Sequence, residues 1–265
     1  MEWLIAYLAM GAFVGFFAGL FGIGGGLVMV PVLSFMFEAQ HFSAQNNLHL
    51  ALGTAMAAIF FSAVYSARTH HGYGAVNFTV VSAMTPGLLI GTGMGTVFAS
   101  RVSPVYLTLF FALFVYFAAA QMLLNLKPKS TRQLPGRVVM TLAGVGIGAI
   151  SSLVSIGGGT LSVPFMLRHN VSLQHAIGTS AALGLPIAIG GTIGYIVTGM
   201  GLDTLPRYSM GFVYLPALVL LAAGSMLTTP LGAKATHRLP IKLLRRGFAG
   251  LLLVLATMML LKLVN

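Results

Sequence analysis

Two of the longest apolar runs in the chain are each interrupted by three consecutive glycines. They read GLFGIGGGLVMVPVL at residues 19–33 and SLVSIGGGTLSVPFM at residues 152–166. A glycine costs a helix about 1 kcal/mol relative to alanine. Within a lipid bilayer, the backbone N–H and C=O groups that a break releases find no water to bond with. We therefore expect both breaks to be buried in protein or to line a water-filled cavity.

The composition is that of a helical integral membrane protein. The chain is 57% hydrophobic and 6% charged, with a mean hydropathy of +0.95, whereas soluble domains carry about 25% charged residues. The apolar runs are continuous and lack the alternation of an outer-membrane barrel. Because the first run follows Met1 and Glu2 without a basic segment, we expect no cleavable signal peptide. The absence of cysteine excludes disulfides, thiolate metal sites and a cysteine nucleophile.

The order of the apolar runs predicts an internal duplication, because one long run and three medium ones are followed by the same series again. The two glycine motifs lie 133 residues apart, and ALGTA at 51–55 corresponds to AIGTS at 176–180. The sequence therefore predicts an all-α polytopic fold of two transmembrane repeats, 1–125 and 138–265, joined by a basic linker at 126–137. Each repeat would contain a glycine-broken helical hairpin and three transmembrane helices. The runs cover residues 4–37, 51–67, 76–99, 104–124, 138–167, 177–199, 211–232 and 247–264.

Basic residues predict the orientation of the repeats, since short cytoplasmic loops carry an excess of lysine and arginine. Both the linker and the loop near residue 240 should then be cytoplasmic. The runs 177–199 and 211–232 supply two crossings between them, so the run 138–167 must begin and end on one side as a hairpin. The first repeat would run in the opposite sense, with Met1 and Asn265 in the periplasm. A single tilted broken helix is the alternative, and it would leave five basic residues outside. The basic residues are Lys127, Lys129, Arg132, Arg137, Lys234, Arg238, Lys242, Arg245 and Arg246.

The formal net charge of +11 is explained by topology rather than by nucleic-acid binding. Basic loops stay on the cytoplasmic side and contact anionic lipids, and no soluble basic domain is present to bind nucleic acid. The acidic residues Glu2, Glu38 and Asp203 each lie near the end of an apolar run. The chain thus lacks the mid-membrane carboxylates of proton pumps, and a cation pathway would have to use carbonyls and hydroxyls.

The glycine triplets are the candidate anion-binding elements. Each break exposes the N-terminus of the following helix, where unpaired N–H groups and the helix dipole attract anions. Glycine accepts a positive φ and lets a ligand approach the backbone, and Pro31 and Pro164 would keep the following helices short or kinked. We predict that both triplets converge near the midplane and contact substrate. The residues concerned are Gly24, Gly25, Gly26, Gly157, Gly158 and Gly159.

A second set of glycines is spaced for helix packing rather than for binding. Gly11, Gly15 and Gly19 recur every four residues, as do Gly144 and Gly148. Small residues at this spacing let membrane helices approach closely. We expect these glycines to contact neighbouring helices.

Hydroxyl side chains near both motifs are the other candidate contacts for substrate. Thr54, Thr179 and Ser180 open the next helix of each half, where a hydroxyl either bonds the backbone or binds a polar ligand. Ser155 and Thr160 flank the second triplet, where the first copy has no hydroxyl. The second copy is therefore expected to make more contact with substrate. The spacing of the histidines predicts no metal site, and no cofactor is expected.

These features together resemble the sulfite exporter TauE/SafE family of bacterial membrane proteins. The resemblance rests on the glycine motif and its downstream proline in both halves, each followed by an ALGT or AIGT element, and it covers essentially the whole chain. It implies export of small sulfur oxyanions, either sulfite or a sulfonate such as sulfoacetate. Ser155 stands where the first motif has Gly22, so the two sites would be unequal.

The sequence and the resemblance predict a secondary transporter in the bacterial inner membrane. A small sulfur-containing anion would bind between the two glycine breaks, and one repeat would rock against the other. A passive anion channel or a permease for another small anion would use the same site and stays open, as do a coupling proton or sodium ion and a homodimer. An intramembrane enzyme is disfavoured because G-x-S-x-G and H-E-x-x-H do not occur, and a primary pump because no G-x-x-x-x-G-K-[ST] loop occurs.

Overall fold

The computed structural model describes residues 2–124, 133–236 and 241–264, with the side chains of 241–243 and 264 excepted. These residues form ten helices and one short antiparallel β-hairpin. Eight of the helices are long and apolar enough to cross a membrane, and the two exceptions are α2 and α7. The elements are α1 (Glu2–Phe21), α2 (Gly26–Ala39), α3 (Asn47–Gly72), α4 (Phe78–Arg101), α5 (Pro104–Leu124), α6 (Arg137–Val154), α7 (Gly159–Arg168), α8 (Leu173–Gly199), β1 (Ser209–Met210), β2 (Val213–Tyr214), α9 (Leu215–Thr236) and α10 (Ile241–Val264).

Both glycine-interrupted runs form two helices each, as predicted. The first break covers residues 22–25 and the second covers residues 155–158. Pro31 and Pro164 lie inside the short helices that follow, α2 and α7. The apolar run that starts at residue 211 is helical only from Leu215, because the residues before it form strand β2.

Helices α1 and α2 form a hairpin whose two outer ends lie together. The amide of Gln40, just beyond α2, donates a hydrogen bond of 2.6 Å to the hydroxyl of Tyr7 near the start of α1. The rings of Tyr7 and Phe37 are 6.4 Å apart, between centroids. The chain therefore enters the bundle along α1 and returns along α2 to the same end. A single broken span would place these residues at opposite ends.

Helices α6 and α7 also begin and end at one end of the bundle. Thr141, in the first turns of α6, donates to the carbonyl of Ala83 near the start of α4 at 2.8 Å. The N–H of Asn77, which caps α4, donates to Thr179 near the start of α8 at 2.9 Å. Since α8 follows α7 directly, both outer ends of this hairpin lie beside the start of α4.

The glycine ladders pack helices together, as predicted. Along α1, Gly11, Gly15 and Gly19 face successive turns of α9, so the two helices run parallel. A Cβ on Gly15 would lie 2.5 Å from the Cα of Ser225, and one on Gly144 would lie 2.6 Å from the carbonyl oxygen of Met84 in α4. No side chain fits at these contacts. The pairs α1–α9 and α4–α6 are therefore held at backbone distance.

Helices α3 and α8 cross the centre of the bundle in antiparallel directions. A Cβ on Gly191 of α8 would touch Met56 near the start of α3, and one on Gly184 would lie 3.4 Å from the Cβ of Ala63 further along it. Near the end of α3, Gly178 faces Ala75. Both hairpins pack against these two helices.

The bundle has two ends that differ in charge. We call end A the one that holds the first residues of α1, α3, α5 and α9, as the contacts Tyr7–Gln40, His49–Ala99 and Tyr214–Thr54 show. End B is the opposite one. Within the described ranges, end A carries Glu2, Glu38, Arg101, Asp203, Arg207 and Lys262, whereas end B carries Arg68, Arg137, Arg168, Lys234, Arg245 and Arg246 and no acidic residue.

This distribution agrees with a cytoplasmic end B. The predicted linker residues Lys127, Lys129 and Arg132 lie outside the described residues, as do Arg238, the side chain of Lys242, Met1 and Asn265. The division into repeats 1–125 and 138–265 and their inverted orientation stay predictions, which the similar surroundings of the two hairpins support.

We predict that end A faces the periplasm and end B the cytoplasm. The chain has no cysteine, so Ala44→Cys in the α2–α3 loop and Gln133→Cys before α6 each introduce a single exposed thiol. A membrane-impermeant maleimide added to intact cells should label Ala44→Cys, and should label Gln133→Cys only after permeabilisation. The reverse pattern would overturn this orientation.

Candidate functional site

The two glycine segments cross each other in the middle of the bundle. The N–H of Gly157 donates to the carbonyl of Ile23 at 3.0 Å. A Cβ on Gly24 would lie 2.7 Å from the nitrogen of Gly157. On either side of this point, Gly26 faces the carbonyl of Ser155 and Gly159 faces that of Gly22, each too closely for a Cβ. The segments are therefore antiparallel and in backbone contact, as the prediction that both triplets converge requires.

The breaks depend on residues in the left-handed region of backbone conformation. Gly25 and Gly158, which precede α2 and α7, have φ of 79° and 83°. Ser155 has φ of 46°, which costs a residue with a Cβ roughly 1–2 kcal/mol. The Ser155 hydroxyl offsets this cost by donating to the carbonyl of Leu52 at 2.7 Å. Its hydroxyl therefore anchors the second break to α3.

A small cavity of about 10 Å³, which is room for about one water molecule, lies beside the crossing and between α3 and α8. It contains two of the predicted site residues, Gly24 and Gly157. Its position along α3, at Ser62 to Ser66, places it on the end-B side of the crossing. The lining residues are Ala18, Gly22, Gly24, Ser62, Ala63, Ser66, Gly157, Ala181 and Gly184.

The side-chain donors of this cavity are two serines of α3. Ser62 donates to the carbonyl of Ile59 at 3.0 Å. Ser66 is only 3% exposed, and its hydroxyl has no hydrogen-bond partner among the described residues. Buried hydroxyls are normally paired. The Ser66 hydroxyl is therefore available to a ligand or a water molecule in the cavity.

Sequence reasoning missed these two serines. Both lie in an apolar run, and four residues separate them, so they share one face of α3. That four-residue spacing was the signal in the sequence that could have identified them. Its interpretation required knowing that the glycine segments lie against this face.

The two predicted threonines do not line the cavity. The Oγ1 atom of Thr54 accepts the N–H of Tyr214, just before α9, at 2.9 Å. Thr179 accepts the N–H of Asn77, just before α4, at the same distance. Each threonine is fully buried and joins one half of the chain to the other. Their hydrogen bonds therefore hold the two halves of the fold together.

The remaining predicted residues surround the crossing without lining the cavity. Ser180 donates to the carbonyl of Ile177 at 2.8 Å and lies 3.4 Å from the carbonyl oxygen of Gly22. Thr160 is in the first turn of α7 and is 6% exposed. Gly25, Gly26, Gly158 and Gly159 form the starts of α2 and α7.

Comparison with known proteins identifies the relatives of this chain. A family model described as sulfite exporter TauE/SafE matches residues 7–259. A probable membrane transporter protein of Haemophilus influenzae is 36% identical over 261 residues, which cover 98% of both chains. Proteins of the same description from Methanocaldococcus jannaschii and Bacillus subtilis are 25% and 27% identical, over 96% and 91% of this chain and 94% and 96% of their own. No solved structure matches the chain.

We predict that Gly157→Ala disrupts the crossing. Its Cβ would lie 2.9 Å from the Cα of Gly24, a backbone atom that cannot move aside, and overpacking of this kind costs about 1–3 kcal/mol. The purified protein should therefore unfold at a lower temperature. Gly146→Ala in α6 is the control, because a Cβ there meets nothing within 4 Å. Equal unfolding temperatures for the two variants would show that the segments do not touch.

Proposed function

The chain belongs to the TauE/SafE sulfite exporter family and is a membrane transporter, and from this premise we propose that it exports a small sulfur-containing anion by alternating access. Sulfite and small sulfonates such as sulfoacetate are the proposed substrates. The binding position is the cavity beside the glycine crossing, which widens to admit the anion. The single observation that carries this proposal is the unpartnered, buried hydroxyl of Ser66 in that cavity.

The polarity of the cavity favours an anion. Its lining offers serine hydroxyls and glycine backbone but no carboxylate. Within the described ranges, the acidic residues Glu2, Glu38 and Asp203 all lie at end A. A cation in the cavity would find no negative charge, whereas an oxyanion finds hydroxyl donors, and charge-assisted hydrogen bonds are the stronger kind.

The charge of end B supports export. The cavity lies on the end-B side of the crossing, and the described ionisable side chains at this end, such as Arg137, Arg168 and Lys234, are basic. A basic surface raises the local concentration of anions and steers them to a nearby site. We propose that end B faces the cytoplasm, where it also contacts anionic lipid.

The paired contacts of the two halves support alternating access. Thr54 and Thr179 make the same kind of bond to the opposite half, and the glycine segments meet in antiparallel fashion. Both features are expected of inverted repeats that rock about a shared centre. The crossing separates the cavity from end A, which favours a carrier over a passive channel.

We predict that sulfite or sulfoacetate stabilises the purified protein against heat, because a ligand that binds only the folded state raises its stability by about 2.7 kcal/mol at 100 times its Kd. Tetramethylammonium should have no effect.

Ser66→Ala should weaken sulfite affinity about ten- to hundredfold, since a hydrogen bond to a charged group contributes about 1.5–3 kcal/mol. It should leave the unfolding temperature without ligand unchanged, because Ser66 gives up no protein partner.

Ser100→Ala is the matched control, since this exposed serine of α4 donates only to Val97, far from the cavity. Its sulfite affinity should equal that of the unmodified protein. Stabilisation by the cation and by none of the anions would contradict the proposed substrate class. Wild-type affinity in Ser66→Ala would move the binding position elsewhere.

A further inference from the structure

The two halves of the chain repeat each other's contacts at fixed offsets in residue number. His70 of α3 contacts the carbonyl of Gly19 at 3.3 Å, and Tyr195 of α8 donates to the carbonyl of Ser152 at 2.8 Å. Adding 133 to Gly19 gives Ser152, and adding 125 to His70 gives Tyr195. The same offsets relate the glycine segments and the two buried threonines. The cavity residues that lie outside the crossing therefore have counterparts on its other side.

Three of the cavity residues have counterparts with much larger side chains. The cavity on the end-B side is open because Ser62, Ala181 and Gly184 are small. At the corresponding places on the end-A side the chain has Ile187, Met56 and Ile59. All three are fully buried. The space that is open towards end B is thus filled towards end A.

Contacts of these three side chains show where they lie. Met56 packs on Gly191. A Cβ on Gly191 would lie 2.7 Å from the Cγ and 3.0 Å from the Sδ of Met56. The Cγ2 of Ile59 lies 3.0 Å from the position that a Cβ on Gly24 would occupy. The Cδ1 of Ile187 lies 2.6 Å from the position that a Cβ on Gly158 would occupy. Ile59 therefore packs against the first glycine segment and Ile187 against the second, whereas Met56 packs against α8.

A hydroxyl without a partner lies on this side as well. Ser151, in the last turn of α6, is the counterpart of Ala18, which lines the open cavity. Ser151 is fully buried, and its hydroxyl has no hydrogen-bond partner among the described residues. A buried hydroxyl left unpaired destabilises the folded state. Such a group in a native protein is explained by something that pairs with it, such as a ligand, an ion or a water molecule.

We propose that a second position for the anion lies on the end-A side of the glycine crossing, with the Ser151 hydroxyl as its donor and Met56 as the side chain that closes it. This inference rests on the proposed function and assigns the exit half of the same pathway. Methionine is unbranched and flexible, so Met56 leaves the position by rotation of its own side chain. The substrate class is the same small oxyanion that the cavity beside Ser66 takes.

The test compares the two sides of the membrane. Exchange of radiolabelled sulfite is measured in inside-out vesicles, which present end B, and in right-side-out vesicles, which present end A. Ser151→Ala should raise the KM for sulfite supplied at end A about ten- to hundredfold and leave the KM at end B unchanged. Ser66→Ala should raise the KM at end B. If Ser151→Ala leaves both KM values at wild type while Ser66→Ala raises one, the second position does not exist.

Met56→Ala supplies an independent readout. Shortening this side chain should increase exchange from end A several-fold, because the position is then open in a larger fraction of molecules. Met84→Ala is the matched control, since Met84 is equally buried but lies in α4, where its carbonyl oxygen faces Gly144 of α6. Equal behaviour of the two methionine variants would overturn the assignment of Met56. Absence of sulfite exchange in wild-type vesicles would contradict the proposed function itself, and with it this inference, before any variant is compared.

Discussion

The contact between the backbones of Gly24 and Gly157 is the constraint on which the rest of the structure depends. Two helices that break inside a membrane must satisfy the N–H and C=O groups they release, and here each break is buried against the other, with the N–H of Gly157 bonded to Ile23. The approach is possible only without side chains. It is maintained from outside by the pairs α1–α9 and α4–α6, whose own glycines hold the two hairpins at backbone distance.

Similar backbones with different side chains make the two sides of the glycine crossing unequal. Small residues of α3 and α8 leave a cavity open towards end B, while Met56, Ile59 and Ile187 fill the corresponding space towards end A. The described side chains of end B add positive charge without any acidic residue. In the proposed mechanism, this end attracts the anion, the Ser66 hydroxyl binds it, and a rearrangement about the crossing transfers it to the Ser151 side.

Much of the fold could be predicted from the sequence because the physics involved is local. Long apolar runs predict spans, a glycine triplet predicts a break, and glycines four residues apart predict a helix contact; all three are confirmed. The strand pair before α9 was missed because its second strand, β2, lies within an apolar run. The role of Thr54 could not be resolved, since its partner Tyr214 is distant in sequence. Ser66 was missed for the same reason, because only the packing of the glycine segments against α3 distinguishes it from other membrane serines.

The central claim is that an oxyanion binds beside the glycine crossing. The most direct measurement is an experimental structure of the protein with selenite, which has the shape and charge of sulfite and a selenium atom that scatters anomalously. The account predicts a selenium peak in the cavity, with an oxygen about 3 Å from the Ser66 hydroxyl. A saturated protein with its selenium peak elsewhere, for example on the basic surface of end B alone, would contradict it.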